Sequence, residues 1–310
     1  MKAVQAVRGG LQKDFVRKFE ALSGRYSIRQ IWEDWVVMTA IAISNTADQV
    51  HASKREQHYM TLAKKYSAQE LAVFTELLRD MVSALEANPD QDFLGDMFMA
   101  LELGNDHAGQ FFTPYSVCKA MAKITAPDIQ GEVQKRGWIS VNDPACGAGA
   151  LLVAFANECL LQKVNYQTSV LFTAQDIDYL VGCMCYLQLS LLGCPGYVKI
   201  GNTLTDPSTC YDDRGLLPRD DGNIWYTPFY FLRDWHVRRA AATLALISST
   251  GVPAREVQEN AGKAHSGPLQ PPPACKAAPA PIAISSTPTR PVEAEEMAYK
   301  SNEAGQLTLF

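Results

Sequence analysis

A carboxylate and two glycines follow the first strand that the sequence predicts. Residues 143–150 read Asp-Pro-Ala-Cys-Gly-Ala-Gly-Ala and lead into a helical pattern. Ligands of open α/β sheets bind at the carboxyl ends of the strands, where Asp143 would stand. Gly147 and Gly149 carry no side chain to block a ligand from the backbone. The segment lacks the third glycine of a dinucleotide fingerprint and the Gly-Lys-Ser/Thr of a P-loop, so we predict a different ligand-binding loop.

Polar side chains also end the next two predicted strands. Residues 175–178 read Gln-Asp-Ile-Asp, and an acid at Asp176 can accept hydrogen bonds from ribose hydroxyls. Asn202, in the Gly-Asn-Thr-Leu segment 201–204, can accept through its amide oxygen. Simpler alternatives stay open, since Asp176 could be a surface acid, Asp178 the N-cap of the next helix, and Asn202 a turn residue.

A third segment lies about thirty residues upstream of the glycine loop. Residues 109–114 read Gly-Gln-Phe-Phe-Thr-Pro. Thr113 suits an N-cap and Pro114 the first position of a helix over 114–124. The alternative is that this segment is only a helix cap.

Together, the order and spacing of these segments resemble the N6-adenine DNA methyltransferases, and most of all the methylation subunit of type I restriction–modification systems. The resemblance covers roughly residues 93–232. It implies S-adenosylmethionine (SAM) as cofactor, DNA as substrate, and a separate specificity subunit as one partner to consider. Cys146 would contribute backbone and packing rather than thiol chemistry. The residues that the resemblance places at SAM are Phe112, Thr113, Pro114, Asp143, Cys146, Gly147, Gly149, Asp176 and Asn202.

The catalytic motif of that family is altered in this chain. The family has Asn/Asp-Pro-Pro-Phe/Tyr after its fourth strand, whereas residues 226–230 here read Tyr-Thr-Pro-Phe-Tyr. The resemblance puts Thr227 in place of the acceptor of the target amine, followed by Pro228 and Phe229, with Tyr230 stacking on the flipped base. Three interpretations stay open: a variant adenine methyltransferase, an inactive homologue that binds SAM and DNA, and a buried aromatic strand end.

Residues 306–310 read Gln-Leu-Thr-Leu-Phe. They resemble the motif with which bacterial proteins bind the DNA polymerase sliding clamp. The resemblance makes Leu309 and Phe310 the main anchors, Leu307 a secondary one, and Gln306 a hydrogen-bonding residue. The alternative is a strand that docks on the protein's own core.

Three regions must position these residues. Residues 1–107 have helical periodicity. From 108 to 249, predicted strands at 138–142, 169–174, 197–200 and 223–226 alternate with helices at 150–163 and 179–192. Such alternation favours parallel strands in a doubly wound α/β domain, here compact, Rossmann-like and truncated at one edge. Residues 250–310 are rich in proline and alanine and predict a disordered tail that ends in the clamp-like motif.

Composition limits the classes of partner. The 310 residues carry a net charge of −5, which excludes a strongly basic nucleic-acid coat. Residues 1–65 nevertheless hold eleven Lys and Arg against six Asp and Glu, either as a solvated face or as a phosphate-contacting patch.

The sequence also predicts a cytoplasmic protein without membrane or metal partners. The longest apolar run, 36–43, is far shorter than the roughly 20 residues that span a bilayer, and no signal peptide is evident. The eight cysteines have no zinc-site spacing, and we interpret them as reduced core thiols.

Overall fold

The computed structural model describes residues 10–103, 112–208, 214–219, 222–250 and 306–308. Helices precede the first strand, as predicted for the amino-terminal region. They are α1 (Gly10–Leu22), α2 (Ile28–Ser44), α3 (Ala52–Ala63), α4 (Ala68–Ala87), α5 (Phe93–Ala100), α6 (Tyr115–Thr125) and α7 (Ile129–Arg136). No helix of the described part is both long and apolar enough to cross a membrane.

Short-range polar contacts fix where several helices begin. The Ser67 side chain accepts from the Glu70 backbone amide, and the Glu70 carboxylate accepts from the Ser67 amide, which is the capping box that starts α4. Ser27 caps α2 by accepting from the Gln30 amide. These side chains satisfy amide groups that have no partner within the helix.

Within the described residues, the α/β part carries a five-stranded sheet. Its elements are β1 (Ile139–Asp143), α8 (Ala150–Leu161), α9 (Tyr166–Ser169), β2 (Val170–Asp176), α10 (Tyr179–Leu191), β3 (Gly196–Ile200), β4 (Ile224–Tyr226), a 3-10 helix (Pro228–Phe231), α11 (Arg233–Thr250) and β5 (Gln306–Thr308). The strand order is β4-β3-β2-β1-β5. β1, β2 and β3 are parallel, which confirms the predicted α/β class.

Two strands differ from the expectation. β4 is antiparallel to β3, with Tyr226 opposite Tyr197 and Ile224 opposite Lys199, so the prediction of an all-parallel sheet is wrong at this edge. At the other edge β5 pairs in parallel with β1. The predicted disordered tail falls mostly on 251–305, outside the described residues, but 306–308 are ordered as a strand. Pairing supplies the ladder hydrogen bonds that the edge of β1 would otherwise lack.

One continuous apolar core joins the helices to the sheet. It begins with the aromatic side chains of α1 and α2, where the Phe15 and Trp35 rings lie 5.3 Å apart, and runs through α8 and α10 to Trp225. The boundary predicted at 107/108 therefore does not separate two cores. The helical region packs mainly on α10, and Arg55 of α3 reaches β4 at the Ile224 carbonyl, so this region can contribute side chains near the sheet edge.

Candidate functional site

The loop after β1 has a backbone that favours glycine. Gly147 and Gly149 have φ angles of +55° and +93°, in the left-handed region where side chains are strained. A Cβ on Gly149 would also lie 2.9 Å from the Cys185 Sγ and 3.4 Å from its Cα. The two glycines thus let the loop turn sharply into α8 and pack against α10.

Asp176, at the end of β2, holds this loop in place. Its Oδ2 accepts from the Gly147 amide at 2.9 Å, and its Oδ1 accepts from the Asp178 amide at 2.9 Å. Each carboxylate oxygen keeps a lone pair that a ribose hydroxyl could use. Asp178 caps α10 by accepting from the Val181 amide at 3.1 Å, which confirms the N-cap interpretation for that residue.

A cavity of about 120 Å³ lies in front of the glycine loop, and two buried carboxyl groups line it. Asp143 is 1 % exposed, and its Oδ1 accepts from the Ala145 amide at 3.1 Å. Burial is the main cause that raises the pKa of Asp143 to about 7. Burial also raises the pKa of Asp92, which the amino-terminal helical region contributes to the cavity. We call this cavity and the adjoining ends of β2 and β3 the cofactor cleft.

Gln188 is a fully buried residue behind the cleft that the sequence reasoning missed. Its Nε2 donates to the Asp92 Oδ1 at 2.7 Å and to the Ala148 carbonyl at 2.8 Å, and its Oε1 accepts from the Leu94 amide at 3.2 Å. It therefore ties the start of α5 to the glycine loop. An amide in the otherwise apolar stretch of α10 was the signal, because a fully buried amide requires hydrogen-bond partners.

The upstream segment lies beside the glycine loop. The Phe112 ring carbons stand 3.6–3.7 Å from the point where a Cβ on Gly147 would be, and Thr113 also lines the cavity. Helix α6 begins at Tyr115 with Pro114 in the N-cap position, so the prediction of Thr113 as N-cap is wrong. A side-chain cap was expected from residue type alone, but the helix starts one residue later.

At the end of β3, Asn202 is exposed and its Oδ1 accepts from the Leu204 amide at 2.9 Å. This is the turn geometry that the sequence left open, and one lone pair stays available for an adenine amino group. Thr203 donates to the Pro144 carbonyl at 2.5 Å, which joins this loop to the glycine loop. Between Asp176 and Asp178, Ile177 is 72 % exposed and offers an apolar surface that the sequence analysis did not single out.

Cys146 is buried, and its thiol lies beside that of Cys185. That contact, together with burial, raises the pKa of the Cys146 thiol well above its ordinary value, so the thiol stays protonated. This supports a packing role. The other described cysteines are likewise free and buried, whereas positions 210 and 275 fall outside the described residues.

The altered catalytic motif does not reach the cofactor cleft. Because β4 runs antiparallel, the residues after it lie at the amino ends of the parallel strands. The Thr227 amide donates to the Gly196 carbonyl at 2.9 Å, at the start of β3. The length of β3, about 13 Å, separates this point from the cleft. The placement of Thr227, Pro228, Phe229 and Tyr230 beside the methyl donor is therefore corrected.

The side chains of this segment have structural partners. The Thr227 Oγ1 accepts from the Gly196 amide at 3.0 Å and donates to the Cys194 carbonyl at 2.7 Å. The Tyr230 hydroxyl donates to the Leu216 carbonyl at 2.7 Å, and its ring stacks on Tyr226 at 4.8 Å. These contacts agree with the third interpretation of this segment, a buried aromatic strand end.

The segment 306–308 lies beside β1, with Leu307 opposite Val141. Leu309 and Phe310, the predicted clamp anchors, lie outside the described residues. The pairing of Gln306 and Leu307 with β1 corresponds to the second interpretation of this segment, a strand on the protein's own sheet.

Comparison with known proteins bears on the region that forms the cleft. Residues 90–216 match the family model of N-6 DNA methylases. The match takes in every predicted SAM residue and leaves out 226–230 and 306–310. It covers less than half of the 310-residue chain, and it supports a SAM-dependent DNA methyltransferase domain with S-adenosylmethionine as its cofactor, as the motifs predicted.

No curated protein matches the chain. Among solved structures, a protein described as a class I S-adenosylmethionine-dependent methyltransferase from Listeria monocytogenes is similar, at 14% identity and a TM-score of 0.34. The alignment covers 73% of this chain and 69% of that one. A TM-score this low does not establish that the two proteins share a fold.

Proposed function

We propose that this protein is a SAM-dependent DNA methyltransferase that acts on adenine N6. The observation that carries the proposal is the arrangement of Asp143, Gly147 and Asp176 within the matched region. A glycine turn is held by the acid of the next strand, and a second acid is buried behind it. The family match supplies DNA methylation as the chemistry.

The cleft suits the chemical groups of SAM. The bound cofactor supplies the methyl group of the reaction. Its methionine end carries an ammonium group, and the buried carboxyl groups of Asp143 and Asp92 form an acidic lining for such a cation. The remaining lone pairs of Asp176 could accept hydrogen bonds from ribose hydroxyls, and the exposed Ile177 side chain could cover an apolar face of the adenine ring.

Methyl transfer also requires a group that accepts hydrogen bonds from the target amine and keeps its lone pair aimed at the methyl group. Thr227 cannot take this role, because its hydroxyl is buried and lies about one strand length from the cleft. The acceptor of the target amine must therefore be a group other than Thr227.

A second candidate function is a catalytically inactive homologue that binds SAM and DNA and is recruited to the sliding clamp. The location of Thr227 favours it, since no acceptor replaces Thr227 among the residues predicted for that role. Clamp recruitment would act through Gln306, Leu307, Leu309 and Phe310, of which Gln306 and Leu307 also pair with β1.

Methyl-labelled SAM distinguishes the two candidates. We would incubate the protein with mixed-sequence, adenine-containing DNA, count the label in DNA and the cofactor on the protein, and identify the modified base by digestion to nucleosides. The Asp143→Ala variant is the control. Label on adenine N6 that the control loses supports the enzyme. Bound cofactor with unlabelled DNA would contradict catalysis by the isolated chain and support the second candidate.

A further inference from the structure

A larger cavity, of about 390 Å³, opens on the side of β3 away from β2. It is lined by Tyr179 at the start of α10, Ile200 at the end of β3, and Asn223 just before β4. Since β4 is antiparallel, all three positions belong to the sheet edge that forms the cofactor cleft. The size is within the range of small-molecule pockets, about 300–1,000 Å³. The cavity is therefore a neighbour of the cleft.

One wall of this cavity is helix α3. Lys54, His58 and Thr61 are spaced three to four residues apart, so they share one face of the helix, and all are exposed. Within the described ranges, Lys54 and His58 have no ion pair or side-chain hydrogen bond. Lys65, just after α3, is instead paired with Asp34 at 3.0 Å. The wall therefore offers a cation and an imidazole to a ligand.

The floor is aromatic and rigid. The Arg55 guanidinium stacks 4.1 Å from the centre of the Trp225 ring. The Arg55 guanidinium is already paired within the protein, because it contacts Asp48 at 2.7 Å and donates to the Ile224 carbonyl at 2.7 Å. The Tyr179 ring stands 6.0 Å from Trp225 and is 40 % exposed. An accessible aromatic ring thus faces the polar side chains of α3.

The combination fits a nucleotide. A planar base can stack on an aromatic side chain, and a phosphate can bind Lys and His donors. SAM carries no phosphate and has a cationic sulfonium, so this wall does not favour it. In a chain of net charge −5, such a local basic wall is what contact with DNA requires.

We propose that this cavity binds a nucleotide unit of the substrate DNA, with a phosphate at Lys54 and His58 and a base against Tyr179. The proposal rests on the proposed function and deepens it. In this proposal, helix α3 of the amino-terminal region holds the DNA strand next to the cofactor cleft.

The test measures DNA binding and SAM binding separately. The full chain, a Lys54→Ala/His58→Ala variant and a Lys64→Ala control are titrated with a mixed-sequence, adenine-containing duplex at several salt concentrations. Lys64 is exposed at the end of α3 but does not line the cavity. SAM is titrated by calorimetry, and adenosine monophosphate serves as the free-nucleotide probe.

We expect the double variant to weaken DNA binding roughly three- to five-fold and to lower the slope of log K against log salt by about one. Its SAM affinity should be unchanged, and Lys64→Ala should match wild type. Equal DNA binding by the double variant and the control would overturn the proposal. So would adenosine monophosphate binding more tightly than DNA, or wild-type protein that binds SAM but not DNA. Failure to bind SAM refutes the proposed function instead, because DNA binding is measured without SAM as well.

Discussion

Replacement of Gln188 by leucine should strongly destabilise the protein. The substitution keeps the approximate volume of the side chain but removes its amide carbonyl and amino groups. The Leu94 amide and the Ala148 carbonyl lose their partner, while the Asp92 carboxyl keeps only its bond from the Gly95 amide at 3.0 Å. A buried polar group left without a partner costs about 1–3 kcal/mol.

The two unpaired backbone groups and the weakened Asp92 carboxyl together cost about 5 kcal/mol, and the apolar leucine side chain regains about 1 kcal/mol. The free energy of unfolding should therefore fall by about 4 kcal/mol. That is a large part of the roughly 5–15 kcal/mol by which domains are stable. Urea unfolding followed by circular dichroism measures it. Gln134→Leu, at an exposed helical position, is the control and should change stability by less than about 0.5 kcal/mol. A loss below about 1 kcal/mol for Gln188→Leu would refute the reasoning.

Three further predictions concern the cleft, β4 and β5. SAM affinity should rise as pH increases through about 7 and level off about one pH unit higher, because the ammonium group needs ionised Asp143, whose pKa is raised to about 7. By calorimetry, Asp143→Asn should bind SAM weakly and with a flatter pH profile. Thr227→Asn should lower the free energy of unfolding by about 1–3 kcal/mol without raising methylation, since the longer amide cannot keep the position from which the hydroxyl bonds both the Gly196 amide and the Cys194 carbonyl. A gain in labelled DNA would return this residue to the active site. Deletion of 306–310 should abolish sliding-clamp pull-down, and retained binding would exclude the motif. The same deletion exposes the edge of β1, so faster amide exchange is expected there.

Much of the cofactor cleft could be predicted because its signals are local. Gly147 and Gly149 occupy a backbone region that favours glycine, and Asp176 follows a strand at the position where an acid reaches the preceding loop. Strand–helix alternation likewise predicted the parallel β1–β2–β3 unit. Gln188 was missed because its partners lie some forty and ninety residues away along the chain, and only packing brings them together.

The sequence by itself determined the glycine loop, the acids that follow β1 and β2, and the order of helices and strands, since each depends on neighbours within a few residues. Only the tertiary structure decided the direction of β4 and the neighbour of β1. A three-residue strand such as β4 or β5 shows the same side-chain alternation whether it runs parallel or antiparallel to its neighbour. The long connections from 201 to 223 and from 251 to 305 allow each of these strands to join either edge of the sheet in either direction. That non-local choice turned Thr227 from a predicted catalytic residue into a buried anchor of β3.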